Sequence, residues 1–308
     1  MRTRHEPVLR DEVLRFLVPG DGLFLDATLG DAGHAEALLD AEPRARLFGT
    51  DRDRDALAFA RERLARFGAR VTLAHATFRE LPDAHARIGG ERFAGALLDL
   101  GLSSRQIDDP ARGMSFMHDG PLDLRMDRSR GETAAEKLAH ADEAELARVL
   151  KEYGDLTGAL RLARALLEEA RRGSLPTTLA LRRAVDRALG GRPHPRRYAQ
   201  VFQALRQWVN GEVDDLEAVL KWLPDAMRPG GVVVTLAYHS GEDRRIKQAL
   251  RHTPPAVSRR LPQVAEERSP EGPWETLTKK VVFPSTEEEE RNPRARSARL
   301  RAFRRKST

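Results

Sequence analysis

The chain contains no cysteine, which excludes disulfides, thiolate nucleophiles and Cys-ligated zinc together. No apolar run approaches the roughly 18 residues that a membrane-spanning helix needs. Met1 to Arg10 carries charge with no apolar stretch behind it, so no secretory signal is expected, and a cytoplasmic protein fits best. Aromatics make up only 6%, too few for a broad platform on which bases could stack. The 9 histidines show no metal-ligand spacing such as H-E-x-x-H, so no metal centre is expected. Lysine is scarce as well: 7 stand against 46 arginines, a skew that genomic base composition can produce without any ligand.

What is present is a chain of 308 residues, 40% hydrophobic and 32% charged, enough for a substantial core under a well-solvated surface. The formal net charge of +6 suits a polyanionic partner, and its distribution says more than its size. Residues 291–308 hold eight basic side chains and no acidic one. Such a cluster suits nucleic-acid contact, with a merely solvated tail as the alternative. The acidic run Glu287 to Glu290 before it reads as a solvated face.

The first hundred residues alternate strand and helix signals at βαβ spacing. Strands are expected at Leu23 to Thr28, Arg46 to Asp51, Val71 to Ala76 and Phe93 to Leu100, with helices at His34 to Ala41 and Asp55 to Phe67. At Gly101 the rhythm stops. Helical patterns then dominate to about Asn210, at Asp142 to Tyr153, Leu156 to Arg172 and Leu179 to Leu189. The rhythm resumes with a helix at Asp214 to Met227, a turn at Pro229-Gly230-Gly231, a strand at Val232 to Tyr238, a helix at Glu242 to Arg251 and a last strand around Glu275 to Phe283. Pro254 to Pro273 reads as an exposed loop. The expected architecture is a doubly wound α/β domain formed by residues 1–105 and 211–308, interrupted by an all-helical insertion at 106–210.

Doubly wound sheets bind ligands at the carboxyl edge of their strands. The first strand-to-helix turn holds Asp26, Gly30, Gly33 and His34, and its glycines can adopt positive φ beside a ligand. Asp51 ends the second strand, where a carboxylate can accept both hydroxyls of a ribose; a turn or N-cap role stays open for it. A dinucleotide would favour the full G-x-G-x-x-G, whereas this turn offers only Gly30 and Gly33, with Asp26 set to repel phosphate. Asp99 ends the fourth strand. Three strand-end acids suit a cationic sulfonium nucleoside, so S-adenosylmethionine is favoured over NAD.

At that point the residues resemble a family, the MraW small-subunit rRNA (cytosine-N4)-methyltransferases. The match opens at His5-Glu6-Pro7-Val8-Leu9, continues through Asp26 to His34, and is longest from Asp99 to Pro110. It goes on through Arg112 to Phe116, Pro121 to Asp127, Phe202 to Arg206, His239 to Arg244 and Asn292 to Ala298, in family order. The resemblance implies a class I methyltransferase fold, S-adenosylmethionine as donor, and N4-methylation of a cytosine in the decoding region of 16S rRNA within the small subunit. It also implies cofactor contacts at Ala32, Gly33, His34, Asp51, Phe78, Asp99 and Gln106. Ala32, Thr77 and Gly241 depart from the family pattern, and at Ala32 the backbone is expected to avoid positive φ.

For methyl transfer to a cytosine amine, Asp99 or a neighbouring carbonyl is the expected acceptor, in place of the Asp/Asn-Pro-Pro-aromatic motif of many amino-methyltransferases. Asp123, Arg125 and Asp127 alternate as on one face of an extended segment, which suits either the flipped base or a structural ion-pair network. His239, ending the fifth strand, is a candidate for base or phosphate contact, or a satisfied strand-end histidine. His194 is expected at the surface of the insertion and Trp208 in its core. The insertion carries 19 basic and 15 acidic residues from Ser103 to Asn210, a modest excess for RNA recognition by shape. A homodimer is left open. The competing readings are a noncatalytic rRNA-binding assembly factor and an NAD-dependent oxidoreductase.

Overall fold

The computed structural model describes residues 6–18, 20–191, 193–251 and 272–307. The stretch 252–271, which holds most of the expected Pro-rich loop, lies outside the described residues, as does His5. The chain divides into two compact units, one formed by Met1–Gly101 with Asp215–Thr308, the other by Leu102–Asp214.

The first unit opens with α1 (Arg10–Leu17), β1 (Gly22–Asp26), α2 (Gly33–Ala41), β2 (Ala45–Asp51), α3 (Arg54–Leu64), β3 (Val71–His75), α4 (Leu81–Arg87) and β4 (Phe93–Asp99). The second unit holds α5 (Ser104–Asp108), α6 (Ala134–His140), α7 (Glu143–Glu152), α8 (Ala159–Arg171), α9 (Thr178–Leu189) and α10 (Pro195–Asn210). The chain then re-enters the first unit along α11 (Glu212–Ala226), followed by β5 (Met227–Ala237), α12 (Ser240–Arg251), β6 (Trp274–Thr276), α13 (Thr286–Arg291) and β7 (Arg299–Arg305).

The seven strands form one mixed sheet in the order β3-β2-β1-β4-β5-β7-β6. The first five are parallel; β7 runs antiparallel to both of its neighbours. Successive strand residues alternate between faces, and both faces are apolar. Leu23, Leu25, Phe48, Leu98 and Val233 join one buried cluster, whereas Phe24, Leu47, Leu97 and Val234 join the other. That double burial is why these strands read as continuous apolar runs. The connections from β1 and β4 leave in opposite directions along the sheet, so the crevice at their carboxyl ends is the topological switch point.

The second unit is helical and packs around its own leucine- and alanine-rich core, which includes Leu146, Leu162, Leu166, Leu181, Phe202 and Trp208. Polar residues mark its helix starts: the Asp142 side chain accepts from Ala144 and Glu145, and Thr133 with Glu136 forms a capping box. His194 is exposed and caps α10, and Trp208 is buried with its indole N–H on Glu145 at 2.8 Å.

Two expectations need correction. Pro229-Gly230-Gly231 does not precede the fifth strand but lies inside it as an irregularity, with Phe93 facing Met227 and Gly95 facing Val232. The last strand is not a segment from Glu275 to Phe283. It is split into the short β6 and an isolated bridge at Val282, and the strand that completes the sheet is β7, inside the basic tail. The tail is therefore neither a solvated end nor a free arm. Arg301 is buried and clamps Asp243 through Nε at 2.6 Å, Arg304 meets Glu275 at 3.1 Å, and Arg305 donates to the Pro224 carbonyl. The acidic run also has a structural use, since Glu288 accepts the Leu9 N–H at 2.7 Å where left-handed Leu9 opens α1.

Replacing Arg301 by alanine would strand the Asp243 carboxylate against the sheet. We expect a loss of about 3 kcal/mol, the lower end for breaking a buried pair, visible as a lower denaturant midpoint with unchanged slope.

Candidate active site

The first turn of the crevice is built by backbone geometry. Gly30 sits at φ 49° and Ala32 at φ 58°, both left-handed. The expectation for Ala32 is thus wrong: the backbone keeps the conformation glycine would favour and places an alanine in it, at a cost of about 1 kcal/mol. Complete burial and a bond from its N–H to the Leu29 carbonyl at 2.7 Å hold it there. Gly33 is needed for a different reason. Its φ is not positive, but a Cβ there would lie 2.5 Å from the Pro7 ring. Arg63 fastens the turn from α3, donating to the Asp31 carbonyl at 2.7 Å while its Nε and other amino group hold Glu36.

Three carboxylates end on this edge. Asp26 is buried and accepts the Thr28 N–H at 3.1 Å; burial pushes its carboxyl up to about 7, with the charges of Asp99 and Asp51 adding to the rise. Asp51 accepts Gly30 N–H through Oδ2 and Asp53 N–H through Oδ1, each at 2.8 Å, and burial lifts it to about 6 against those bonds. The N-cap of α3 falls to Asp53, so Asp51 is a turn-bonding acid whose lone pairs are not all used. Asp99 rises to about 6 by burial, with the Tyr238 hydroxyl and the Gly101 N–H opposing the shift. The Thr28 hydroxyl receives the Asp99 N–H at 2.7 Å and ties the tips of β1 and β4 together. Among the described residues no lysine or arginine forms an ion pair with any of the three acids.

His34 opens α2 with its imidazole buried and neither ring nitrogen hydrogen-bonded. Burial, then the charge of Arg10, lowers it to about 4, so it is neutral at pH 7. Its Nε2 lies 3.8 Å from Asp99 Oδ2. Phe78, half-buried, begins the turn after β3, and departing Thr77 caps that turn in a box with Glu80. His239, just past β5, meets Glu242 at 2.8 Å, and Gly241 leaves room for its ring.

The remaining candidates belong to the helical unit. Gln106 is buried and closes a capping box with Ser103 at the start of α5. Asp123 and Arg125 do not lie on one extended face, because Leu124 between them is left-handed at φ 62°. The bend lets the Arg125 guanidinium fold back onto Asp123, with Nε on Oδ1 at 2.6 Å and Nη2 on Oδ2 at 3.0 Å, and Nη1 on the Gly131 carbonyl. Arg130 meets Asp127 at 3.4 Å.

Sequence reasoning passed over three polar groups of the crevice. They are the Thr28 hydroxyl, the Tyr238 hydroxyl at 2.9 Å from Asp99 Oδ1, and the buried Glu242 that also accepts the Tyr238 N–H. Tyr238 carried a usable signal, a phenol at the end of an otherwise apolar strand.

The donor set fits a cation bearing hydroxyls. Three acids, Asp26 buried and Asp51 and Asp99 half-buried, repel phosphate but attract an ammonium or sulfonium, and the unpartnered ring of His34 offers a neutral hydrogen-bonding group. Among the described residues no group of three or more His, Cys, Asp or Glu could hold a metal ion.

The profile of the MraW methylase family matches residues 2–306. Ribosomal RNA small subunit methyltransferase H of Sorangium cellulosum is 48% identical, over 98% of this chain and 91% of its own length. The protein of that name from Pseudarthrobacter chlorophenolicus is 41% identical, over 97% and 94%. A Streptococcus mutans methyltransferase solved in complex with SAH aligns at 11% identity and a TM-score of 0.42, over 98% of this chain and 99% of that one. With the family profile and such identity running along nearly its whole length, the chain belongs to the MraW methylase family.

Proposed function

We propose that the enzyme methylates N4 of a cytosine in the decoding region of 16S rRNA, with S-adenosylmethionine held at the carboxyl edge of the sheet. The observation that carries this is the convergence of Asp26, Asp51 and Asp99 at one edge, each with raised proton affinity from desolvation. Bound there, the cofactor supplies an electrophilic methyl group on a positively charged sulfur.

Asp51 receives the ribose hydroxyls on lone pairs left over from Gly30 and Asp53. Phe78 offers an apolar face to the adenine. Gly30, Ala32, Gly33 and His34 line the methionine end, where Asp26 pairs with its ammonium. Gln106 is assigned a cofactor contact by family resemblance alone.

A cytosine amine is a poor nucleophile because its lone pair is delocalised into the ring. Alignment of the reacting atoms supplies most of the gain, and an acceptor for the amine hydrogens supplies the next part. Asp99 is that acceptor, with the adjacent Leu100 carbonyl as the alternative. A carboxyl near 6 is ionised at neutral pH yet basic enough to take the proton that the amine sheds. His239, braced by Glu242, is assigned to the rRNA.

Substrate recognition falls to the helical unit, proposed at residues 106–210. The target base must leave its stack to reach the methyl group, and phosphate contacts make binding salt-sensitive. The Arg125 fork is spent on Asp123 and Gly131, which supports a role in shaping that loop for the base. No described helix is long and apolar enough to cross a membrane, and an rRNA-modifying enzyme suits the cytoplasm.

Nucleotide mapping of 16S rRNA by mass spectrometry should show a cytosine N4-methyl group that disappears on deletion of the gene and returns with it. Asp51→Asn removes one acceptor and the charge; calorimetry should give a ten-fold or greater loss of S-adenosylhomocysteine affinity, on the order of 1.5 kcal/mol or more. The pH dependence follows from the raised carboxyls. A protonated Asp26 or Asp99 cannot pair with a cation, so affinity is full above about 7 and declines as pH falls through 7 to 6. Titrations at about pH 5.5 should show roughly ten-fold weaker binding than at about pH 8, and a flat profile would contradict the charge pairing.

A further inference from the structure

The carboxylate at the tip of β4 is not symmetric in its surroundings. Oδ1 of Asp99 receives the Tyr238 hydroxyl at 2.9 Å, whereas Oδ2 faces the His34 ring at 3.8 Å, beyond hydrogen-bond reach. Several features fix the phenol in this position. Its backbone N–H is held by the buried Glu242 at 2.9 Å. Its ring lies where Gly101 has no side chain, since a Cβ there would fall 2.7 Å from Cε2 and 3.0 Å from Cζ. The glycine after the fourth strand is thus a space left for this ring.

We propose that Tyr238 is a positioning residue for methyl transfer: its hydroxyl occupies one oxygen of Asp99 and leaves the other turned to the acceptor amine. The inference rests on the reading of Asp99 as that acceptor. Without the phenol, either oxygen could rotate toward the amine, and only the Gly101 N–H would remain to favour the ionised acid.

The ionisable groups facing Asp99 all matter to its titration. Asp26 from β1 and Glu242 from α12 oppose its charge, His34 from α2 is neutral, and Tyr238 alone among these donates to it. Burial and the charge of Asp99 raise the Tyr238 hydroxyl well above its ordinary value, so it remains a donor throughout the working range. Its loss therefore moves Asp99 in one direction only, toward stronger proton binding.

The test compares Tyr238→Phe with the parent in single-turnover methylation of small subunits, across pH and at saturating cofactor. The ring remains, so packing is kept. The expected result is an acid limb shifted upward by about one pH unit, a rate reduced about three-fold near pH 6.5, approaching ten-fold near pH 5 and little changed near pH 9, and S-adenosylhomocysteine affinity within about three-fold of the parent. If that variant does not fold, Gly101→Ala, which displaces the ring while keeping the hydroxyl, should move the limb the same way. A parental rate and limb in the folded variant overturn the proposal. An Asp99→Asn variant separates the two levels. If it turns over like the parent, the reading of Asp99 as acceptor falls, and Tyr238 with it. If it is disabled while Tyr238→Phe behaves as the parent, only the role of Tyr238 falls.

Discussion

The site depends on carrying negative charge out of water without giving it a side-chain counterion. Asp26, Asp51 and Asp99 lie at the ends of three neighbouring parallel strands, and desolvation raises the proton affinity of each. An isolated buried carboxylate is unfavourable, so backbone N–H groups from Thr28, Gly30 and Asp53 share the load. In the proposed function, what those dipoles leave unsatisfied becomes attraction for a cation of the right shape.

The sheet makes such an arrangement possible because parallel strands deliver like-placed residues to one edge. Between β1 and β4 the helices depart to opposite sides, opening the crevice, and Thr28 bridges the gap by accepting from the Asp99 backbone. Strain at Ala32, the packing of Pro7 on Gly33 and the Arg63 strut keep the opposite wall in place. Elsewhere the same economy holds. Acid and base pair where they stabilise the frame, as Asp215 does with Arg52 and Arg79.

Most of the parallel half was legible from the chain. Strands buried on both faces announce themselves as apolar runs, and Asp26, Asp51 and Asp99 stand at their ends, where the topology needs them. The antiparallel edge was not legible, because β7 alternates arginines with Leu300, Ala302 and Phe303, and a buried Arg301 looks exposed until its partner Asp243 is known. The site hid its second layer for a similar reason. Tyr238 and Thr28 act through partners distant in sequence, so even the phenol at a strand end did not say which group it bonds. The alternation of Asp123 and Arg125 suggested one face of an extended segment, but a left-handed Leu124 bends the chain so that the two form an ion pair, the other reading left open for them.

The left-handed alanine in the first turn bears on timing. A glycine at that place would roam widely in the unfolded chain and stay pliant in the folded one, whereas alanine has fewer shapes to lose. The strained wall is settled during folding, before any nucleoside arrives. Less ordering is then left for a ligand of the kind proposed for this crevice.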